Sequence, residues 1–190
     1  MSAEDRRRQI LDVASDLVRQ SGAGNLTMEA IAEGAGVSKP LIYLHFTGTA
    51  DVLLNLMREE CERLDAQVFE LLPQAQSLDE QLDALMRPYL DLLEERGSLF
   101  DELVIRQSNR EVLDRWQAER RSGVVDFLAA LICDGRDMDQ RQASIAATGL
   151  LGAFESAARL LTLPGADRRE VEHVLRCLVR GGLESLEAIQ

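Results

Sequence analysis

Apolar residues in this chain recur at three- and four-residue spacing almost from end to end, and no alternating apolar–polar run persists long enough to make a strand. That period places one apolar stripe on each of a series of helices and points to an all-α fold. Ile10, Leu11, Ala14, Leu17 and Val18 form the first stripe, ended by the Ser21-Gly22-Ala23-Gly24 breaker. A second, over 50–72, carries Leu53, Met57, Cys61, Leu64, Val68 and Leu71 and stops at Pro73. A third is expected over 78–95, kinked where Pro88 removes a backbone donor. Shorter helices follow near 99–107 and 111–133, and a final pair spans 139–161 and 168–187 on either side of Pro164-Gly165. With 46% hydrophobic residues among 190, the chain can bury a real core, as one domain or as a small domain joined to a medium one.

Several function classes fall away. No charged, then apolar, then small-residue leader opens the sequence, so a cytoplasmic protein is expected. The longest nearly uncharged run, 143–158, is 16 residues long and contains Glu155, too short and too interrupted for a membrane span. Cys61, Cys133 and Cys177 are odd in number and scattered, which suits a reducing compartment; all three read as small buried apolar residues. The two histidines are far apart, and there is no glycine-rich phosphate loop or nucleophile constellation. Neither an enzyme nor a metal or cofactor site is expected.

The informative stretch is 26–46, LTMEAIAEGAGVSKPLIYLHF. Thr27 is placed to cap a short helix with Ile31 and Ala32 on its inner face. Gly36 permits a tight turn, Val37 adds an apolar plug, and Ser38 caps a second short helix that tolerates Pro40 in its first turn. Two short helices joined by a glycine turn and preceded by a longer helix make a helix-turn-helix unit, whose last helix would enter the major groove of DNA.

The order RRRQIL, then alanine, leucine and glycine, then LTMEAIAEGAGVSKPLIYLHF, resembles the N-terminal domain of the TetR family of transcriptional regulators over residues 8–54. AGVSKPLIYLHF is its most specific part, since a turn glycine, capping serine, tyrosine and phenylalanine recur there at fixed spacing. The resemblance implies a DNA-binding domain over 1–50 and a helical effector-binding and dimerisation domain over 51–190. It also implies a homodimer on a pseudo-palindromic double-stranded operator, usually a repressor released by a small molecule. Thr27 then donates to a phosphate, Ser38 and Lys39 open the recognition helix, and Lys39 reaches a guanine edge or a phosphate. Pro40 and Leu41 offer apolar contact, as to a thymine methyl, while Tyr43 matches the family's phosphate-binding tyrosine and His45 lies near the backbone. Arg8, in an Arg6–Arg8 arm, adds a phosphate contact. Ile31, Val37, Ile42 and Phe46 read as core.

One departure stands out. Thr49 occupies the position where the family usually has a phosphate-holding lysine. Counterion release scales with the charges engaged, so a shallow salt dependence is expected. A Thr49→Lys variant should bind operator more tightly at moderate salt, with a slope steeper by about 0.9 per added contact. Unchanged affinity in a salt titration would remove this reading. The same departure supports an alternative, an interaction protein of this fold that has lost specific DNA binding.

Ala143, Ala146, Ala147, Gly149, Gly152, Ala153, Ala157 and Ala158 crowd one helix with small residues, and Val171, Val174, Leu175, Leu178, Gly182 and Leu186 line the next. Small residues permit close helix approach, and 139–161 with 168–187 look like the family's dimerisation face. Effector candidates are Met86, Tyr89, Leu90, Leu93, Phe100, Leu103, Trp116, Phe127 and Phe154, with Tyr89 the best polar contact. Few basic residues lie on these stripes, so an apolar effector, neutral or cationic, is expected. In the mechanism the family implies, the effector shifts the dimer away from the groove-matched spacing, with the helix over 50–72 as lever.

The net charge of −12 argues at first against a nucleic-acid partner. Its distribution removes the objection. Residues 1–55 hold five basic and seven acidic side chains, against 16 and 26 in residues 56–190, so most of the acidity lies outside the helix-turn-helix.

Overall fold

A computed structural model describes residues 2–105, 110–135, 138–161, 163 and 165–187, without the side chains of 93, 96–105, 110–114, 135, 158 and 187. Among the described residues every regular element is helical: α1 (Ala3–Ser21), α2 (Met28–Gly34), α3 (Lys39–His45), α4 (Thr49–Leu71), α5 (Leu78–Ile105), α6 (Arg110–Gly135), α7 (Gln140–Leu161) and α8 (Arg168–Glu187). The chain forms two compact units, Met1–Asp65 with Arg96–Asp114, and Ala66–Glu95 with Arg115–Gln190.

In the first unit, α1 starts early because Ser2 and Asp5 make a capping box. The Ser2 hydroxyl accepts from the Asp5 N–H at 3.0 Å, and the Asp5 carboxylate accepts from the Ser2 N–H at 2.9 Å. These bonds hold the Asp5 carboxyl below its ordinary pKa. Arg6 to Arg8 are therefore helical, and the expected arm is instead the second turn of α1. Helix α1 buries Ile10, Leu11, Ala14 and Val18 with Ile31, Ile42 and Phe46, while Val37 is only half-buried.

The turn between α2 and α3 has a mechanical reason for its glycine. The Val37 N–H reaches Ala32 O at 2.9 Å and the Gly36 N–H reaches Glu33 O at 3.1 Å, the paired bonds of a Schellman motif. That motif needs a left-handed residue, and Gly36 has φ +60°. Gly34 serves a different purpose, close approach: a Cβ there would lie 2.7 Å from Val13 Cγ1. Gly34→Ala is expected to destabilise this unit by about 1–2 kcal/mol, overpacking exceeding the gain in helix propensity. In a Val13→Ala background the same substitution should be neutral or stabilising. A denaturation double-mutant cycle without such coupling would overturn the explanation.

Helix α5 joins the segment expected over 78–95 to that expected over 99–107, whose described part ends at Ile105. A single interior glycine, Gly97, costs about 1 kcal/mol relative to alanine, too little to end a helix without a following proline or cap. Pro88 also lies inside the helix without ending it.

The second unit is built on Leu82, Met86 and Leu90 from α5, Leu128, Ala129 and Ile132 from α6, Ala143, Ala147, Leu150, Leu151, Phe154 and Ala157 from α7, and Leu175, Val179 and Leu183 from α8. An antiparallel ladder of ion pairs sets the register of α8 against α5. Arg168 meets Asp91 at 2.6 Å and also Glu94, Arg176 meets Asp83 at 2.5 Å, and Arg180 meets Asp79 at 3.0 Å. Arg168 and Arg180 are held above the ordinary guanidinium pKa, led by hydrogen bonds to Glu172 and Glu184 respectively. Solvent reaches and screens these pairs, so the ladder fixes alignment more than it stabilises. No helix among the described residues is long and apolar enough to cross a membrane.

Candidate functional site

Helix α2 begins at Thr27, whose hydroxyl accepts from the Ala30 N–H at 3.1 Å. That bond uses an oxygen lone pair and leaves the hydroxyl proton to donate outward. Ser38 occupies the N-cap of α3, but its hydroxyl makes no capping hydrogen bond. The helix instead starts through the Ser38 carbonyl, which accepts from Leu41 and Ile42, with Pro40 in the first turn. Ser38 thus lies at the entrance of α3 with a hydroxyl that the cap does not consume.

Seven residues make α3, and burial divides them sharply. Ile42 is 0% exposed, Leu41 and His45 are half-buried, and Lys39, Pro40, Tyr43 and Leu44 face outward. Tyr43 is 53% exposed, so packing does not account for its ring. Leu44 is 81% exposed. Leu41, expected among the contacting residues, is turned partly toward the interior. The signal for Leu44 lay in the sequence, because it is four residues after Pro40 and off the register of Ile42 and Phe46.

Lys39 is the cation expected at the head of α3, and its ammonium donates to Glu29 on α2 at 2.6 Å. Both side chains are more than half exposed. The hydrogen bond from Lys39 holds the Glu29 carboxyl below its ordinary pKa. The stability this link adds is present above the ordinary carboxyl pKa and is lost as pH falls through the lowered one, so it is intact at neutral pH. Glu29 and Lys39 are ten residues apart on different helices, which no helical periodicity reveals.

The exit of α3 is tied by Arg7. Its guanidinium donates to the His45 carbonyl at 2.8 Å and to Asn55 Oδ1 at 2.7 Å, and lies 4.3 Å from the centre of the Phe46 ring. Asn55 donates in turn to Asp51 Oδ1 at 2.9 Å, and Asp51 accepts from the Thr47 N–H at 2.9 Å. This chain of bonds joins α1, the end of α3 and the start of α4, and it sets where Tyr43 and His45 lie. Arg8, by contrast, is exposed, and Thr49 is the half-buried first residue of α4.

In the second unit, Met86, Leu90 and Phe154 are core residues, and Tyr89 and Phe127 pack against them. The Tyr89 and Phe154 rings are 6.3 Å apart. Trp116 is half-buried, and the side chains of Leu93, Phe100 and Leu103 lie outside the described residues. A cavity of about 310 Å³ opens elsewhere in this unit, lined by Phe69, Leu72, Pro73, Gln81, Leu131 and Asp134. Among the described residues, no group of three or more His, Cys, Asp or Glu could hold a metal ion. Of the cysteines only Cys61 is buried; Cys133 is intermediate and Cys177 exposed, because the Cys177 position falls on the outer side of α8.

The outer faces of α7 and α8 are apolar and small. Ile145 (64% exposed), Leu160, Val174, Leu178 (66%) and Leu186 point to solvent. A Cβ added at Gly149, Gly152, Gly181 or Gly182 would meet nothing within 4 Å. Leu175, expected on the same stripe, is instead buried in the unit's core.

Known proteins share these features. Residues 10–56 match the family model described as bacterial regulatory proteins, tetR family. The chain is 26% identical over 129 residues to a fatty acid metabolism regulator protein of Bacillus subtilis, covering 67% of this chain and 66% of that protein. It is 30% identical over 91 residues to the HTH-type transcriptional activator FasR of Mycolicibacterium smegmatis, covering 48% and 42%. The matched stretches thus span less than two thirds of either relative. The solved structure of the fatty acid degradation regulator FadR from Bacillus halodurans superposes with a TM-score of 0.72 at 24% identity, over 96% of this chain and 98% of that one. With the helix-turn-helix of α2 and α3 and the family-model match, residues 10–56 form a DNA-binding domain of the tetR family of bacterial regulatory proteins, and the chain as a whole shares the all-helical fold of the solved structure.

Proposed function

We propose that this protein is a homodimeric transcriptional repressor that reads a pseudo-palindromic operator with α3 and is released by a small apolar effector. The observation that carries the DNA-binding part is the arrangement of α2 and α3. A Schellman turn presents Thr27, Ser38 and Tyr43 on exposed positions with polar groups that the fold does not use up. Phosphate contacts from such groups set the register of a recognition helix in the major groove.

The dimer rests on the outer faces of α7 and α8. Two-fold pairing of these helices would bury their leucines and bring the open glycines against a partner backbone. For the effector, support comes from the apolar residues around Tyr89 and from the fatty-acid roles named for the relatives, which fit a ligand with a long hydrocarbon body. Such a ligand regulates by binding one arrangement of the dimer more tightly than the other.

The deciding experiment is a nuclease footprint of the full-length protein on the DNA flanking its own gene. A protected two-fold-symmetric site, weakened by long-chain apolar compounds, is the expected result. Protection strengthened by those compounds would replace repression with activation. Absence of any protected site would favour an interaction protein without specific DNA binding, a reading to which the Lys39–Glu29 pair and Thr49 lend weight.

A further inference from the structure

We propose that Leu44, with Pro40 beside it, forms an apolar reading face on α3 that recognises the 5-methyl groups of thymine in the major groove. The inference rests on the DNA-binding reading above and assigns its base specificity. Residues 40 and 44 are one helical turn apart and share a face of α3. Both are exposed, and Leu44, at 81%, is the most exposed large hydrophobic residue among those described.

The polar groups of α3 leave little else to read a base. The helix contains no Arg, Asn or Gln, the side chains that pair bidentately with guanine or adenine. Its one lysine, the side chain there able to read guanine, is shared with Glu29 in a solvent-exposed pair. His45 is half-buried. Tyr43 offers a hydroxyl on the neighbouring exposed position, suited to the backbone more than to a base edge. In the major groove, the feature that an aliphatic side chain can recognise is the thymine methyl, which no other base carries. A leucine in water gains by covering that methyl, and covering the hydrogen-bonding edge of a cytosine or guanine instead gives no such gain. Lys39 and Ser38 at the start of the helix then supply placement, while the apolar pair supplies sequence preference.

The test separates this inference from the reading beneath it. The full-length protein selects duplexes from a random 30-base-pair library, and each thymine in the selected half-site is replaced in turn by deoxyuridine, which removes only the methyl. At one or two positions, deoxyuridine should weaken binding about fourfold per half-site, and about fifteenfold when both halves are changed, the effect expected for one buried methyl group. Leu44→Ala, a substitution at an exposed position, should bind the thymine duplex more weakly and be indifferent to deoxyuridine at the position Leu44 covers, keeping only the sensitivity due to Pro40. Selection of a half-site whose binding stays within about twofold for every deoxyuridine replacement would overturn the Leu44 inference and leave DNA binding standing. Full wild-type sensitivity to deoxyuridine in Leu44→Ala would do the same. A library from which no sequence is enriched would overturn both.

Discussion

Leu178→Arg is expected to leave the chain folded and to convert the protein into a monomer at micromolar concentration. The side chain is 66% exposed, and α8 is anchored by Leu175, Val179 and Leu183 on another face, so the fold does not depend on it. In a two-fold dimer each substitution appears twice, and both arginines would face an apolar surface. Breaking such an interface by burying unpaired charges costs about 3–5 kcal/mol, or more than a hundredfold in dissociation constant. Operator binding should fall at least as far, because a monomer engages one half-site and loses the effective concentration supplied by its partner. Sedimentation measures the mass, gel shift the affinity, and circular dichroism checks that helicity is unchanged. A folded variant that remains dimeric would show that the outer faces of α7 and α8 are not the interface.

The second large effect is expected at Arg7. Its two charge-assisted hydrogen bonds and its packing over Phe46 all end on the α3–α4 junction. Bonds from a charged donor contribute about 1.5–3 kcal/mol and an exposed cation–π contact about 0.5–1 kcal/mol, so Arg7→Ala should destabilise the first unit by about 2–3 kcal/mol after partial replacement by water. Arg7→Lys should recover little of this, since a single ammonium cannot span the carbonyl and the amide as the guanidinium fork does. Urea denaturation followed by helicity provides the measurement. A loss below about 0.5 kcal/mol, the size of an ordinary surface substitution, would show that the fork is not needed. The consequence for DNA is indirect: with the end of α3 untethered, Tyr43 loses its fixed position.

The contrast between what periodicity revealed and what it did not follows from the range of the forces. Helices α1, α4, α7 and α8 were legible because each carries a stripe facing one core. The α2–α3 turn was legible because a left-handed backbone demands Gly36. The arginine fork at Arg7 joins residues 38 and 48 positions away, and the Lys39–Glu29 pair crosses between helices. Such partners are chosen by tertiary geometry and leave no local pattern. The break expected between 95 and 99 failed for the opposite reason: the local preference of Gly97 against helix is real, but one glycine is too weak to stop α5. At the candidate interface, Ser38, Pro40 and Tyr43 are exposed, whereas Leu41, His45 and Thr49, expected there by the same resemblance, are half-buried. Leu44 was overlooked because apolar residues invite assignment to a core.

The pairing of Lys39 with Glu29 has a practical corollary. Lysine occurs once in this sequence, and its amine sits at the head of the helix that would face the bases. Apart from the terminal amine, amine-selective reagents therefore have a single target. Their rate of attack reads out how often that amine leaves its carboxylate, and a bound duplex lying over α3 would slow it. The chain carries a one-site chemical clock at the surface whose occupancy matters most.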